Sequence, residues 1–278
     1  MTEINQQSAL LYLLEDPDEQ VFQQIKSKLV TLGDEMIPKL EEKWESSAND
    51  LVQERIEDIL HLIHFRTFCY KLEHWVQTEK NNLLSGVFLA CAYAFPNLNN
   101  EDILMTIRNI VMEISEAIEG LPAKKTIKKF NQFFFTEYGF RVVNKEGLSL
   151  HPFFPSQLIS SRKGEVIAVA IVYLLIAREL SLPISLLNVS KERCLLSFND
   201  KKNNQFYFID PAKKGVILPK KEVERRFFDD TLLDWFTLHP LNNIEIITLL
   251  FVSISKIYEN TTHKKRTEID QILSILRM

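Results

Sequence analysis

Thiol, imidazole and carboxylate groups are the side chains of this sequence with which acyl bonds could be made or broken, so their spacing is weighed first. The cysteines are Cys69, Cys91 and Cys194, an odd number with no CxxC pair, each set among apolar neighbours. Attack requires a thiolate, and apolar surroundings oppose that charge, so buried core thiols in a reducing compartment are the expectation. Glu57, His61 and His64 fall at i, i+4 and i+7 on one helical face, followed by Cys69 and His74. Metal sites use such spacing. With Arg55, Arg66 and Lys71 interleaved, however, a solvated or partly buried helix face is expected, and no metal and no cofactor is assigned. Asp210 closes the segment Ile209-Asp210-Pro211, and Glu192 is the carboxylate that could join it in acid–base work. An isolated Asp before Pro more often caps a turn. Lys124, Lys125, Lys128 and Lys129, with Lys213, Lys214, Lys220, Lys221, Arg225 and Arg226, could meet an anionic partner or simply face solvent. No Gly-rich phosphate loop, HExxH or GxSxG is present.

These groups need a scaffold, and composition bounds it. The 278 residues suffice for one to two domains, and 46% hydrophobic with 25% charged residues is ordinary globular usage. A net charge of −4 argues against general polyanion binding, so nucleic acid is not an expected partner. Only 7 Gly and 10 Pro favour a helix-rich chain with few loops. The polar, acidic N-terminus has no basic region followed by an apolar stretch, so a signal peptide is not expected and a cytoplasmic location is. The longest uncharged runs are Asn81 to Asn100, diluted by Asn, Ser and Pro, and the twelve residues Val166 to Ala177. Since a spanning helix needs ~20 apolar residues, both are predicted to be core helices rather than membrane segments.

Leu10, Leu11, Leu13 and Leu14 stop at Asp16-Pro17-Asp18, where Asp16 can cap and Pro17 can take the first position of a new helix. Val21, Ile25 and Leu29 follow, then Gly33, then the apolar faces of Met36 to Trp44 and Ile56 to Ile63. This predicts a HEAT-like helical region over residues 1–80. Leu83 to Phe95 and Asp102 to Ala117 read as central helices. A Phe-rich run, Phe130 to Phe135, reads as core at helical spacing, ended by Gly139 before an extended Phe140 to Val143. After Leu182-Pro183, the segments Ile184 to Val189, Arg193 to Phe198 and Gln205 to Ile209 are short and β-branched or aromatic, separated by polar turns. They predict an antiparallel meander. Helical periodicity returns at Ile244 to Tyr258 and Ile269 to Leu276.

The pieces DPDEQV, LLSGVFLACAYAFPNLN, NQFFFTEYGF, RKGEVIAVAIVYLLIARELSLPISLLNV and YFIDPAKKG, in this order over most of residues 10 to 220, resemble the bacterial transglutaminase-like family of the SirB type. The resemblance implies an α+β fold: a mostly helical, HEAT-like N-terminal region, a transglutaminase-like or papain-like core with a small antiparallel sheet over 81–240, and a helical tail over 241–278, tetratricopeptide-like in worn form. A working site of this kind needs a Cys at the start of the central helix, a His on a following strand, and an Asp or Asn to orient the His. The resemblance places the nucleophile position at Val166, whose alkyl side chain can neither attack a carbonyl nor bind a metal. The SirB-type family generally lacks this Cys too, carrying Gly-Asn-Pro where Gly164, Glu165 and Val166 stand here. Its Pro-Gly-His-Phe-type segment meets Ser190 to Cys194, which puts either Glu192 or Arg193 at the His position, depending on the anchor of the alignment. Asp210 alone matches the orienting carboxylate.

A degenerate cleft formed by Val166, Glu192, Arg193 and Asp210, with no catalytic residue assigned, is therefore the expected remnant. An Arg193–Asp210 ion pair would replace the His–Asp pair. The expected function is that of a non-catalytic scaffold or protein-binding module whose partner is another protein. Two alternatives stand beside it: a hydrolase or transferase using Asp210 with Glu192, and an anion- or nucleic-acid-binding regulator.

Overall fold

A computed structural model describes residues 3–143, 149–190, 193–227, 239–258 and 263–278. The chain divides into two compact units, Met1–Lys71 and Leu72–Met278. Among the described residues no helix is long and apolar enough to cross a membrane.

The first unit is helical: α1 (Glu3–Tyr12), α2 (Glu19–Leu32), α3 (Ile37–Ser46) and most of α4 (Asp50–His74). Leu14, Leu29, Met36, Leu40, Ile56 and Ile59 are fully buried in one cluster, the apolar stripe expected of amphipathic helices. The start of α2 differs from the sequence expectation. Asp18, not Asp16, is the cap, its Oδ1 accepting from the Gln20 backbone N–H at 2.8 Å, while Asp16 Oδ1 accepts from Asp18 N–H at 2.9 Å. Two successive carboxylates each bond the backbone two residues on, so Pro17 shapes the turn between them instead of opening the helix. Arg55 is buried and donates to the carbonyls of Leu14 and Asp16 at 2.9 and 2.6 Å, with its guanidinium over the Phe22 ring. The buried cation is compensated by these two acceptors and by the Glu19 carboxylate, 3.6 Å from Arg55 Nη2.

The second unit contains α5 (Leu83–Ala94), α6 (Asn100–Ile118), α7 (Ala123–Asn131), β1 (Arg141–Val142), α8 (Pro155–Ser161), β2 (Lys163–Gly164) and α9 (Val166–Glu179). It continues with β3 (Ile184–Ser190), β4 (Arg193–Asp200), β5 (Gln205–Asp210), β6 (Val216–Leu218), α10 (Lys220–Phe227), α11 (Asn243–Ser255) and α12 (His263–Leu276). The fold is α+β. Helix α9 is its spine: Ile167 through Ala177 are all buried, and α9 packs on β3 and β4 as well as on α6, α8 and α11. So β-branched a run could form a strand, but 14 residues without a Gly or Pro interruption suit a helix buried on every side.

The strands β3-β4-β5-β6 form one antiparallel sheet in sequence order, with Leu186, Leu196, Ile209 and Ile217 in register across it. This is the meander anticipated from the sequence, extended by β6. Strands β1 and β2 pair parallel, Arg141 with Lys163 and Val142 with Gly164. The Phe-rich run continues α7 as a π-helical segment, Gln132–Glu137. Its Phe134 and Phe135, with Phe130, surround the Tyr173 ring of α9 at centroid distances of 5.0, 6.0 and 4.4 Å, so the run is core. On the C-terminal side, Asn242 and Glu245 form a reciprocal capping box at the start of α11.

Candidate functional site

The start of α9 is built by backbone. Arg141 N–H donates to the Arg162 carbonyl and Val143 N–H to the Gly164 carbonyl, both at 3.0 Å, which lays β2 against β1. Glu165 N–H then donates to the Pro152 carbonyl at 2.7 Å, fixing where the helix begins. Gly164 is required by close approach: a Cβ there would lie 2.9 Å from the Pro152 oxygen. Glu165 is the N-cap residue and Val166, half-buried, the first residue of the helix. The positive end of a helix favours an anion and would lower the pKa of a thiol placed there. An isopropyl group stands at that position instead, immediately after the N-cap Glu165.

Asp210 lies at the far end of β5 and is buried. It caps the 3-10 turn Pro211–Lys213, its Oδ1 accepting from Ala212 N–H at 3.0 Å, while its backbone carbonyl accepts from Gly215 N–H at 2.9 Å. This turn packs against α9, β1 and β4. A relay ties it to the middle of α9: Tyr173 Oη donates to Asn131 Oδ1 at 2.8 Å, and Asn131 Nδ2 donates to the Gly215 carbonyl at 2.6 Å. Asn131 does not stand out in the sequence, whereas Gly215 is legible as the glycine that closes the turn after Asp210-Pro211. Tyr173 does carry a signal, as the single polar-tipped side chain within the apolar run Val166 to Ala177, because a buried phenol needs a partner.

Of the four cleft residues named from the sequence, the structure thus places Val166 at the helix start and Asp210 at the strand end. Glu192 lies outside the described residues. Arg193 opens β4, its backbone paired with Ser190, but its side chain is outside the description, and so is the Arg193–Asp210 ion pair. Asp210 therefore has a described function as a turn cap. Asparagine can accept the same hydrogen bond, so Asp210→Asn is expected to change stability by less than about 0.5 kcal/mol and Asp210→Ala to cost about 1 kcal/mol. Urea unfolding of the two variants checks this; a loss of ~1 to 3 kcal/mol in the Asn variant would instead indicate an ion pair.

Cys69, Cys91 and Cys194 are all buried. Burial pushes the Cys194 thiol up to about 12, with the negative charge of Asp210 adding to the rise. Burial also raises Cys91. A thiol raised in the folded state contributes stability that is complete below its unfolded value, near 9.0, and is lost as pH climbs toward 12. Alkaline unfolding over that window should accordingly be shallower in Cys194→Ala than in the parent chain, measured as urea midpoints at stepped pH; identical slopes would remove Cys194 from the alkaline transition.

Among the described residues no group of three or more His, Cys, Asp or Glu side chains is gathered so as to hold a metal ion. Glu57 accepts instead from the Trp44 indole N–H at 3.1 Å, and His74 lies 3.2 Å from the Thr78 hydroxyl. Arg162, in the left-handed region at φ 64°, closes over the Phe140 ring at 4.7 Å.

The order of these parts, an apolar helix opened by a glycine, then an antiparallel meander whose third strand ends in a buried Asp, coincides with a family-model match. The model of the transglutaminase-like superfamily matches residues 101–249, more than half of the 278-residue chain. The chain belongs to the transglutaminase-like superfamily. No curated protein and no solved structure gives a significant match. In this transglutaminase-like chain the match runs from α6 into α11, so it takes in the α9 spine, the whole sheet and the Asp210 turn.

Proposed function

We infer that the chain is a non-catalytic member of the transglutaminase-like superfamily, nearest the SirB type, and that it works by binding another protein. The observation that carries this reading is Val166 at the first position of α9, where the superfamily's chemistry needs a thiol at the positive end of the helix. Support comes from Cys194, whose pKa moves away from reactivity, and from Asp210, whose carboxylate is engaged as a turn cap. A carboxylate-based hydrolase is less well supported, since Asp210 is buried and already accepts a backbone hydrogen bond. The test is an acyl-transfer and hydrolysis assay on glutamine and peptide substrates under reducing conditions. No turnover above buffer is expected. Turnover abolished by iodoacetamide and mapped to Cys194 would overturn the reading.

A further inference from the structure

The outer side of the sheet carries a groove of about 1400 Å³ between α7 and strands β4 to β6. Its volume exceeds the ~300 to 1,000 Å³ typical of small-molecule pockets. Leu187, Phe208 and Leu218, buried in a cluster with Leu195 and Val223, line its floor. Phe206 and Val216 extend that floor into solvent at 54% and 47% exposure. Large apolar side chains open to water beside a wide groove are the mark of a surface that another chain covers.

Among the described residues the charge lining the groove has one sign. Lys124 and Lys128, one turn apart on α7, and Lys220 at the start of α10 line it, and no Asp or Glu does so among the described residues. Lys220 also pairs with Glu224 at 3.8 Å, so the exposed α7 lysines supply the field. The fold thus brings together two lysine runs about 90 residues apart in a chain whose net charge is −4. The amides of Asn199, Asn204 and Gln205 also line it. Amides serve a peptide backbone, which has donors and acceptors to satisfy, and offer nothing to an acyl chain.

We propose that this groove is the partner-binding surface and that its occupant is a peptide segment of another protein in which acidic residues are interspersed with aromatic and aliphatic ones. Apolar side chains would rest on Phe206 and Val216, and carboxylates would face Lys124 and Lys128. Recognition of such a segment rests on the non-catalytic reading, yet the two fail separately: a groove that binds nothing in a chain without acyl transfer removes the groove alone, whereas thiol-dependent turnover removes the reading.

The experiment is fluorescence anisotropy with a labelled peptide in which Asp and Glu alternate with Leu, Phe and Trp, and with a counterpart carrying Lys in place of each acid. The full chain is expected to bind the acidic peptide in a salt-sensitive manner and not its basic counterpart. The double variant Lys124→Glu with Lys128→Glu, and separately Phe206→Ser, should each weaken binding at least about tenfold, a change of 1.4 kcal/mol. All three side chains are exposed, so urea unfolding of these variants should match that of the parent. Equal binding by parent and variants would overturn the proposal. So would lysine-dependent binding to phosphatidylserine vesicles without peptide binding. Peptide binding seen only after residues 228–238 are replaced by Gly and Ser would also overturn it, because Asp229, Asp230, Trp235 and Phe236 give the chain its own acidic, aromatic stretch.

Discussion

Replacing Ile171 by alanine is expected to lower the unfolding free energy of the chain by about 2 to 5 kcal/mol. Ile171 is fully buried at the middle of α9, which packs on the sheet and on α6, α8 and α11. Truncation removes the transfer free energy of the lost carbons and leaves a cavity. Little can collapse into it, because Ala168, Ala170, Val172 and Leu174 are themselves fully buried. Leu175→Ala, at 5% exposure, should fall in the same range. The measurement is urea unfolding of each variant against the parent, and unchanged midpoints in both would show that α9 is not the spine of the core.

Gly215→Ala should cost about 2 to 4 kcal/mol, combining a left-handed backbone penalty with overpacking. Gly215 has φ +72°, and a Cβ on it would come within 2.6 Å of both Asn131 Cγ and Phe135 Cε2. Neither neighbour has room to retreat: Asn131 holds the Gly215 carbonyl on one side and the Tyr173 hydroxyl on the other, and Phe135 is packed against Phe134. The loss should reach the turn that Asp210 caps, seen as faster amide exchange at Ala212 and Gly215. A fully stable variant would mean that this closure is dispensable.

Physical reasons separate what the sequence revealed from what it hid. Helix α9 was legible because an uninterrupted apolar run of its length can only be buried, and the meander because polar turns such as Asn199 to Asn204 interrupt β-branched and aromatic segments. The β1–β2 pair was hidden, since two residues per strand fall below any periodicity and the pairing rests on backbone bonds to Arg162 and Gly164. The cap of α2 was placed two residues early because Asp16 and Asp18 are both good caps and only geometry distinguishes them. In the site, Val166 could be located from the glycine that opens its helix. The Tyr173–Asn131–Gly215 relay could not be found: Gly215 is legible as the turn glycine after Asp210-Pro211, but Asn131 is ordinary in its own neighbourhood and its partners lie 42 and 84 residues away. That Lys124 and Lys128 could share a patch with Lys220 is legible in the sequence; the apolar groove they line is not, because Leu187, Phe206 and Val216 reach it from separate strands.

The claim that this transglutaminase-like core carries no activated thiol is tested most directly by the time course of cysteine alkylation, followed by mass spectrometry at neutral pH in the native state and in urea. Burial of Cys69, Cys91 and Cys194 leads to the expectation that none of the three takes up iodoacetamide in the native chain over a period in which the unfolded chain takes it up at all three. Rapid, stoichiometric modification of one native cysteine, at a rate that titrates below neutral pH, would contradict it.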